Sequence, residues 1–158
     1  MTADPLTVLT EFLANAFDPD KIAEVTERLV ADEATYVSLS FDPDPGLHEI
    51  MPWAGTNHGK SAFVDNFRGV STQWRLEDFT PLDTLVDGDK VALFGRFTLR
   101  SVTLGKAVTS PCAVLAKVSD GKIRYFQYME DTFATALTFR TSGTWTVDAV
   151  PGAKTFEV

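Results

Sequence analysis

The chain has little sulfur and few rings that titrate: one cysteine, Cys112, and two histidines, His48 and His58, in 158 residues. A single cysteine permits no internal disulfide and no cysteine-based zinc cage. Basic residues are also scarce. Fourteen Lys and Arg stand against twenty-two Asp and Glu, a net charge of −8. Partners rich in phosphate need a basic surface, so nucleic acid and anionic membrane are disfavoured. No run of eighteen apolar residues occurs, and none of the chain reads as a helical membrane span. The opening residues, Met1-Thr2-Ala3-Asp4-Pro5, lack the basic start and apolar stretch of a secretory leader, which predicts a cytoplasmic protein. There is no Gly-rich phosphate loop, no nucleotide fingerprint and no Gly-x-Ser-x-Gly elbow, and no cofactor is expected. His48, Glu49 and His58 fit no zinc spacing, so no metal is expected either.

What is present points to a folded domain. Apolar residues make up 44% and charged residues 23%, which excludes a disordered chain. The length suits one domain over 1–158, with 140–158 as a C-terminal extension. Twelve Phe is a high count and suggests a thick core or a ring-lined cavity.

The order of patterns suggests α+β. Asp4-Pro5 can cap and start a helix carrying Leu6, Leu9, Leu13 and Ala16 on one side. Asp18-Pro19 repeats the signal ahead of Ile22, Val25 and Leu29. From Ala34 the period becomes two, with Tyr36, Ser38 and Ser40 on one face. Residues 42–58 read as a long irregular loop headed by Asp42-Pro43-Asp44-Pro45-Gly46. A third helix follows near 60–69, with Ala62, Phe63, Phe67 and Val70 near one side. Four strands come next, near 74–86, 90–102, 107–118 and 123–130. Tight turns at Asp87-Gly88-Asp89, Leu104-Gly105-Lys106 and Asp120-Gly121 join them, and Pro81 marks a bulge or edge. Asp131-Thr132 can cap a short helix, and 144–148 can add an edge strand. Helices first and strands after argue for a curved sheet with helices on one side.

Three segments carry a family resemblance. Met51-Pro52-Trp53-Ala54-Gly55-Thr56-Asn57-His58-Gly59-Lys60 resembles the PWxG…G[RK] stretch of SnoaL-like proteins. These are ketosteroid-isomerase-related members of the nuclear-transport-factor-2-like superfamily. Asp120-Gly121-Lys122-Ile123 with Tyr128-Met129-Glu130-Asp131-Thr132 resembles their DGkI…Y.EDT ending, and Ala31-Asp32-Glu33-Ala34 their joint between second helix and first strand. The likeness runs from about Leu6 to Phe139. It implies a cone-shaped α+β barrel: a curved, mostly antiparallel sheet against three N-terminal helices. It also implies a homodimer and one deep apolar pocket per chain.

The steroid isomerases of this fold use a carboxylate base, a tyrosine and a protonated Asp. Carried onto this chain, the tyrosine falls on Phe12, the base on Ser38 and the second acid on Ser110 or Pro111. None can perform the role, so a standard ketosteroid isomerase is not expected. Parity on the last strand, with the resemblance, turns Phe126, Tyr128 and Glu130 toward the pocket. A carboxylate among rings has a raised pKa and suits general acid–base work. The competing reading pairs Glu130 with Arg96, Arg100 or Arg124 as a structural ion pair. Tyr36 reads as a hydrogen-bonding partner in catalysis or as a half-buried core residue. His48 reads as a general base at the pocket mouth or as a surface histidine. The expected catalytic set is Glu130, Tyr36 and His48. The expected ligand-binding set is Phe12, Ser38, Trp53, Ser110, Cys112, Phe126 and Tyr128. Cys112 reads also as a small buried hydrophobe, and Asp131 as a helix cap.

These residues favour a cofactor-free isomerase, cyclase, dehydratase or hydrolase acting on a small, ring-containing hydrophobic molecule. A non-catalytic binding protein or a dimerisation module with a filled core are the other readings.

Overall fold

The computed structural model describes residues 4–158. Asp4 caps the first helix, α1 (Pro5–Ala16), accepting the Thr7 N–H at 3.1 Å, and Pro5 occupies the first turn. The buried stripe is Val8, Leu9, Phe12 and Ala16, while Leu6 and Leu13 are only half-buried. The predicted stripe is thus rotated, and Phe12 rather than Leu13 enters the core. A turn at 18–21 leads into α2 (Ile22–Leu29), which buries Ile22, Val25 and Leu29 as its spacing predicts.

The chain continues through β1 (Val30–Ser38), α3 (Pro45–Ile50), β2 (Gly55–His58), α4 (Lys60–Gln73), β3 (Trp74–Asp87), β4 (Lys90–Ser101), β5 (Ala107–Ser119), β6 (Lys122–Glu130) and α5 (Thr132–Leu137). Residues 42–58 are therefore no irregular loop. Asp44 caps α3 through its carboxylate on the Gly46 N–H, with Pro45 in the first turn, and β2 pairs with β1. The Asp-Pro-Gly run that stops a strand here also starts a helix. Glycines at φ 115° (Gly55) and 86° (Gly59) bracket β2, a region that L side chains rarely adopt.

Six strands form one sheet in the order β2-β1-β6-β5-β4-β3. All neighbours are antiparallel except β1 and β6, which run parallel. The expected barrel is not formed, and the helices are not confined to three at the N-terminus: the sheet is open, and α3 and α5 lie beyond the first helices. The edges explain the open form. β2 is four residues long, and β3 loses register at Leu76/Asp78 and Pro81/Asp83. Pro81 offers no N–H to a further strand. Closure is also unnecessary, because α1 contacts β4, β5 and β6 while α4 contacts β1 and β3.

The core is aromatic. Phe12 meets Phe63, Phe67 and Phe126 edge-on at ring-centre distances of 5.9, 5.6 and 5.7 Å. Such pairs add about 0.5–1.5 kcal/mol each beyond area burial. Residues 144–148 do not extend this sheet. β7 (Thr146–Val147) pairs with β8 (Phe156–Glu157) in a separate two-stranded ribbon. Among the described residues no helix is long and apolar enough to cross a membrane.

Candidate active site

The parallel pairing of β1 with β6 builds the site. It sets Tyr36 beside Phe126 and Ser38 beside Tyr128. On the other side of β6, Glu130 stands opposite Cys112 and Tyr128 opposite Val114. Side chains alternate across a strand, so Tyr36, Ser38, Phe126, Tyr128 and Glu130 share the helix-covered face. Above them lie Phe67, Asn66 and Val70 of α4 and Leu13 of α1. Met51 and Trp53, between α3 and β2, wall the end.

A chamber remains between these layers. Its volume is about 40 Å³. One water needs roughly 10–15 Å³ of such room, so the chamber is real but slender. Its walls are apolar apart from Tyr36, Ser38, Asn66, Tyr128, Glu130 and Thr135. Glu130 is the only charged side chain among them.

The electrostatics follow from that isolation. Burial raises the Glu130 carboxyl to about 7, and the neighbouring Asp131 charge adds to it. Donors from Tyr128 and Thr135 pull it part of the way back. The Tyr128 hydroxyl donates to Glu130 Oε2 at 3.0 Å. The three arginines offered as structural partners lie elsewhere. Arg96 faces Asp78 at 4.0 Å, Arg100 holds Glu77, and Arg124 holds Glu33 and Asp120. Burial pushes the hydroxyls of Tyr36 and Tyr128 well above the usual phenol range, and the Glu130 charge adds to both shifts. Both remain protonated donors at any ordinary pH.

The Tyr128 contact gives a first expected outcome. Tyr128→Phe removes a donor that favours the charged carboxylate, so the Glu130 titration should move upward by about one pH unit. Carbon-detected NMR of the labelled Glu130 carboxyl would follow it. An unchanged midpoint would show that the hydroxyl does not couple to the acid.

The surroundings are held by specific packing. A Cβ at Gly69 would stand 2.7 Å from Cε3 of Trp53, so the bare backbone of α4 is what lets the indole lie against it. Trp74 donates its indole N–H to Thr138 at 2.8 Å and stacks near Phe139 at 4.3 Å. Leu39, at the chamber wall, has φ 65° and its N–H bonds the Tyr128 carbonyl at 2.9 Å. A left-handed Leu costs about 1–3 kcal/mol and persists only where neighbours enforce it.

Residues 9–126 match the SnoaL-like domain family. The chain belongs to that family. Patulin synthesis protein F of Aspergillus clavatus is 47% identical over 139 residues, which span 86% of this chain and 69% of that protein. Patulin biosynthesis cluster protein F of Penicillium expansum is 44% identical over 138 residues, spanning 85% and 68%. Among solved structures, an NTF2-like protein from Burkholderia thailandensis superposes with a TM-score of 0.71 at 22% identity, over 89% of this chain and all of that one. That last likeness shows the fold.

Within this SnoaL-like domain, six of the residues singled out from sequence come together in the chamber wall: Glu130, Tyr36, Ser38, Trp53, Phe126 and Tyr128. Four do not line it. Phe12 is fully buried behind the wall, in the ring cluster of the core. Ser110 lies beneath it, accepting the Asp131 N–H at 3.0 Å and donating to the Pro111 carbonyl at 2.7 Å. It clamps the joint between β6 and α5. Cys112 is 5% exposed, and burial with the Glu130 charge pushes its thiol up to about 11. It stays a neutral thiol. His48 is exposed on α3, outside the lining residues, and His58 faces Thr35 at 3.2 Å on the β1–β2 pair. Asp131 caps α5 through the Ala134 N–H, as its type and position predict.

Two polar lining residues escape the sequence reading. Thr135 is buried on α5 and bonds back to the Asp131 carbonyl. Asn66 is 3% exposed on α4, its side chain lies beside the Tyr36 hydroxyl, and its Oδ1 meets no close donor among the described residues. A signal for Asn66 exists: Phe63, Asn66, Phe67 and Val70 form an i, i+3, i+4, i+7 stripe, with one amide at a core position. Leaving that oxygen unpaired costs about 1–3 kcal/mol.

Proposed function

We propose that this protein is a cofactor-free acid–base enzyme acting on a small, ring-containing, mostly apolar molecule. The supporting observation is Glu130: a lone carboxyl on the wall of an apolar chamber, with no cation beside it among the described residues and a pKa raised to about 7. Near neutral pH both of its forms are populated, so it can take a proton from carbon and return one. Tyr128 and Tyr36 supply neutral donors for the oxygen on which charge develops. The reaction type is an isomerisation, cyclisation, dehydration or hydrolysis. The two fungal relatives named for patulin synthesis support a biosynthetic role. Steroid isomerisation by the usual residues has no support, since Phe12 has no hydroxyl and Ser38 no carboxyl. We treat 1–158 as one functional domain, with 140–158 as its extension.

The test needs no knowledge of the natural substrate. With 2-cyclohexenone in D2O near pD 7, the protein should speed exchange of the ring protons activated by the carbonyl, followed by proton NMR. Glu130→Gln should abolish the acceleration. Binding of the enone without any exchange would sink the catalytic reading and leave a ligand-binding protein.

We also infer a homodimer formed through the outward face of the sheet. Leu85, Ala92 and Leu115 form one cross-strand row there, and Phe94, Ala113 and Met129 another. Leu85, Phe94 and Met129 are 60%, 48% and 49% exposed in the single chain. Contiguous apolar area of this kind marks an interface. Light scattering should give twice the chain mass, and the pair Phe94→Lys with Met129→Lys should give monomers. A monomeric unmodified chain would refute the assignment.

A further inference from the structure

The chamber has a neighbour. A groove of about 360 Å³ lies where the C-terminal ends of α1 and α4 meet β3 and β4. Five of its wall residues, Phe17, Val70, Trp74, Leu76 and Leu99, also line the chamber. The two spaces are thus the two sides of one thin boundary. That boundary is unevenly held. Trp74 is pinned, its indole N–H on Thr138 at 2.8 Å and Phe139 packed on it at 4.3 Å. Phe17 caps the end of α1 and is half-buried, with Phe67 as its ring neighbour at 5.2 Å. Ser71 Oγ donates to the Phe17 carbonyl at 3.4 Å, which holds the backbone there and leaves the ring free to change rotamer.

The groove offers a ligand no charge. Arg75 is the one charged residue along it among those described. Trp74 and Leu76 line the chamber, so Arg75 between them turns to the other face of β3, where it stands across from Arg100. The Ser71 hydroxyl is spent on Phe17. An ionic group in the groove would lose water with no partner to replace it, whereas an alkyl chain would gain from leaving water.

We propose that the groove is a second subsite of the chamber, and that the ligand is a ring carrying an alkyl substituent. The ring occupies the chamber, and the chain passes Phe17 into the groove. The inference rests on the chamber being a ligand site, as in the function proposed above, but not on the chemistry of Glu130.

Chain length supplies a test whose sign is decisive. A chamber of about 40 Å³ closed at Phe17 would reject longer chains, so affinity would fall along a series of 2-cyclohexenones alkylated at the ring carbon beyond the double bond. A chain that enters the groove should instead tighten binding by about threefold per methylene from methyl to pentyl. Titration calorimetry on the full chain reads that slope. Ser71 lines the groove and not the chamber, so Ser71→Trp should fill the subsite and flatten or reverse the slope. In the unmodified protein the Ser71 backbone amide signal should shift with the pentyl compound and stay with 2-cyclohexenone itself, a measurement that needs no variant. A flat or falling slope in the unmodified protein, the same rising slope in Ser71→Trp, or an unmoved Ser71 signal would overturn the inference while leaving the chamber as a ligand site. Failure of every member of the series to bind would overturn both.

Discussion

Glu130→Gln is expected to remove the proposed acid–base activity and, at the same time, to stabilise the fold above pH 7. The activity loss should be about 10²- to 10⁴-fold, the usual contribution of a positioned proton-transfer group. The stability gain follows from linkage. The Glu130 carboxyl has its ordinary value of 4.5 in the unfolded chain and about 7 in the folded one. The folded state therefore holds this proton more tightly. Its contribution is fully present below pH 4.5 and is lost as pH rises through 7. At pH 8 the charged group in the chamber costs about 3 kcal/mol relative to low pH. Glutamine has no such cost. Urea denaturation of both proteins from pH 4 to pH 8 should give equal stability at the acid end and a widening gap toward the basic end. A flat difference across that range would show that the carboxyl titrates normally. Lost activity with gained stability is the pattern of a group kept for function against the interests of the fold.

The second large effect belongs to Phe12. Phe12→Ala should cost about 3–5 kcal/mol, the range for emptying a fully buried aromatic site. Three ring contacts, to Phe63, Phe67 and Phe126, tie α1 to α4 and to β6, and all are lost together. The urea midpoint should fall at an unchanged slope. A cost under about 1.5 kcal/mol would place Phe12 at a compliant cavity wall instead of in the packed core. The residue that takes the tyrosine position of the steroid isomerases thus serves here as the keystone of the helix–sheet contact.

Parts of this architecture are legible along the chain because they are local. Asp4-Pro5 and Asp131-Thr132 encode helix starts, since a carboxylate three residues ahead of a free N–H caps it. Pro81 encodes an edge, because it has no N–H to offer a neighbour. Strand parity places Phe126, Tyr128 and Glu130 on one face. The stretch 42–58 was less legible, because Asp-Pro-Gly both ends a strand and begins a helix. His48 could not be placed from its type, since whether α3 turns it to solvent or to the chamber depends on how that helix lies on its neighbours. Asn66 was readable in principle, as a polar residue at a core spacing.

By itself the sequence determined the local elements outside 42–58 and the tail, the family, and the presence of an acid on an aromatic strand. The tertiary structure decided that the sheet stays open, that Phe12, Ser110 and Cys112 do not line the chamber, and that Asn66 does. It also brought Tyr36 and Ser38 beside Phe126 and Tyr128, each partner 90 positions further along the chain. The physical reason is one of range. Capping and alternation act between near neighbours, whereas the pairing of β1 with β6, the solvation of Glu130 and the isolation of Asn66 exist only once distant segments have packed and expelled water.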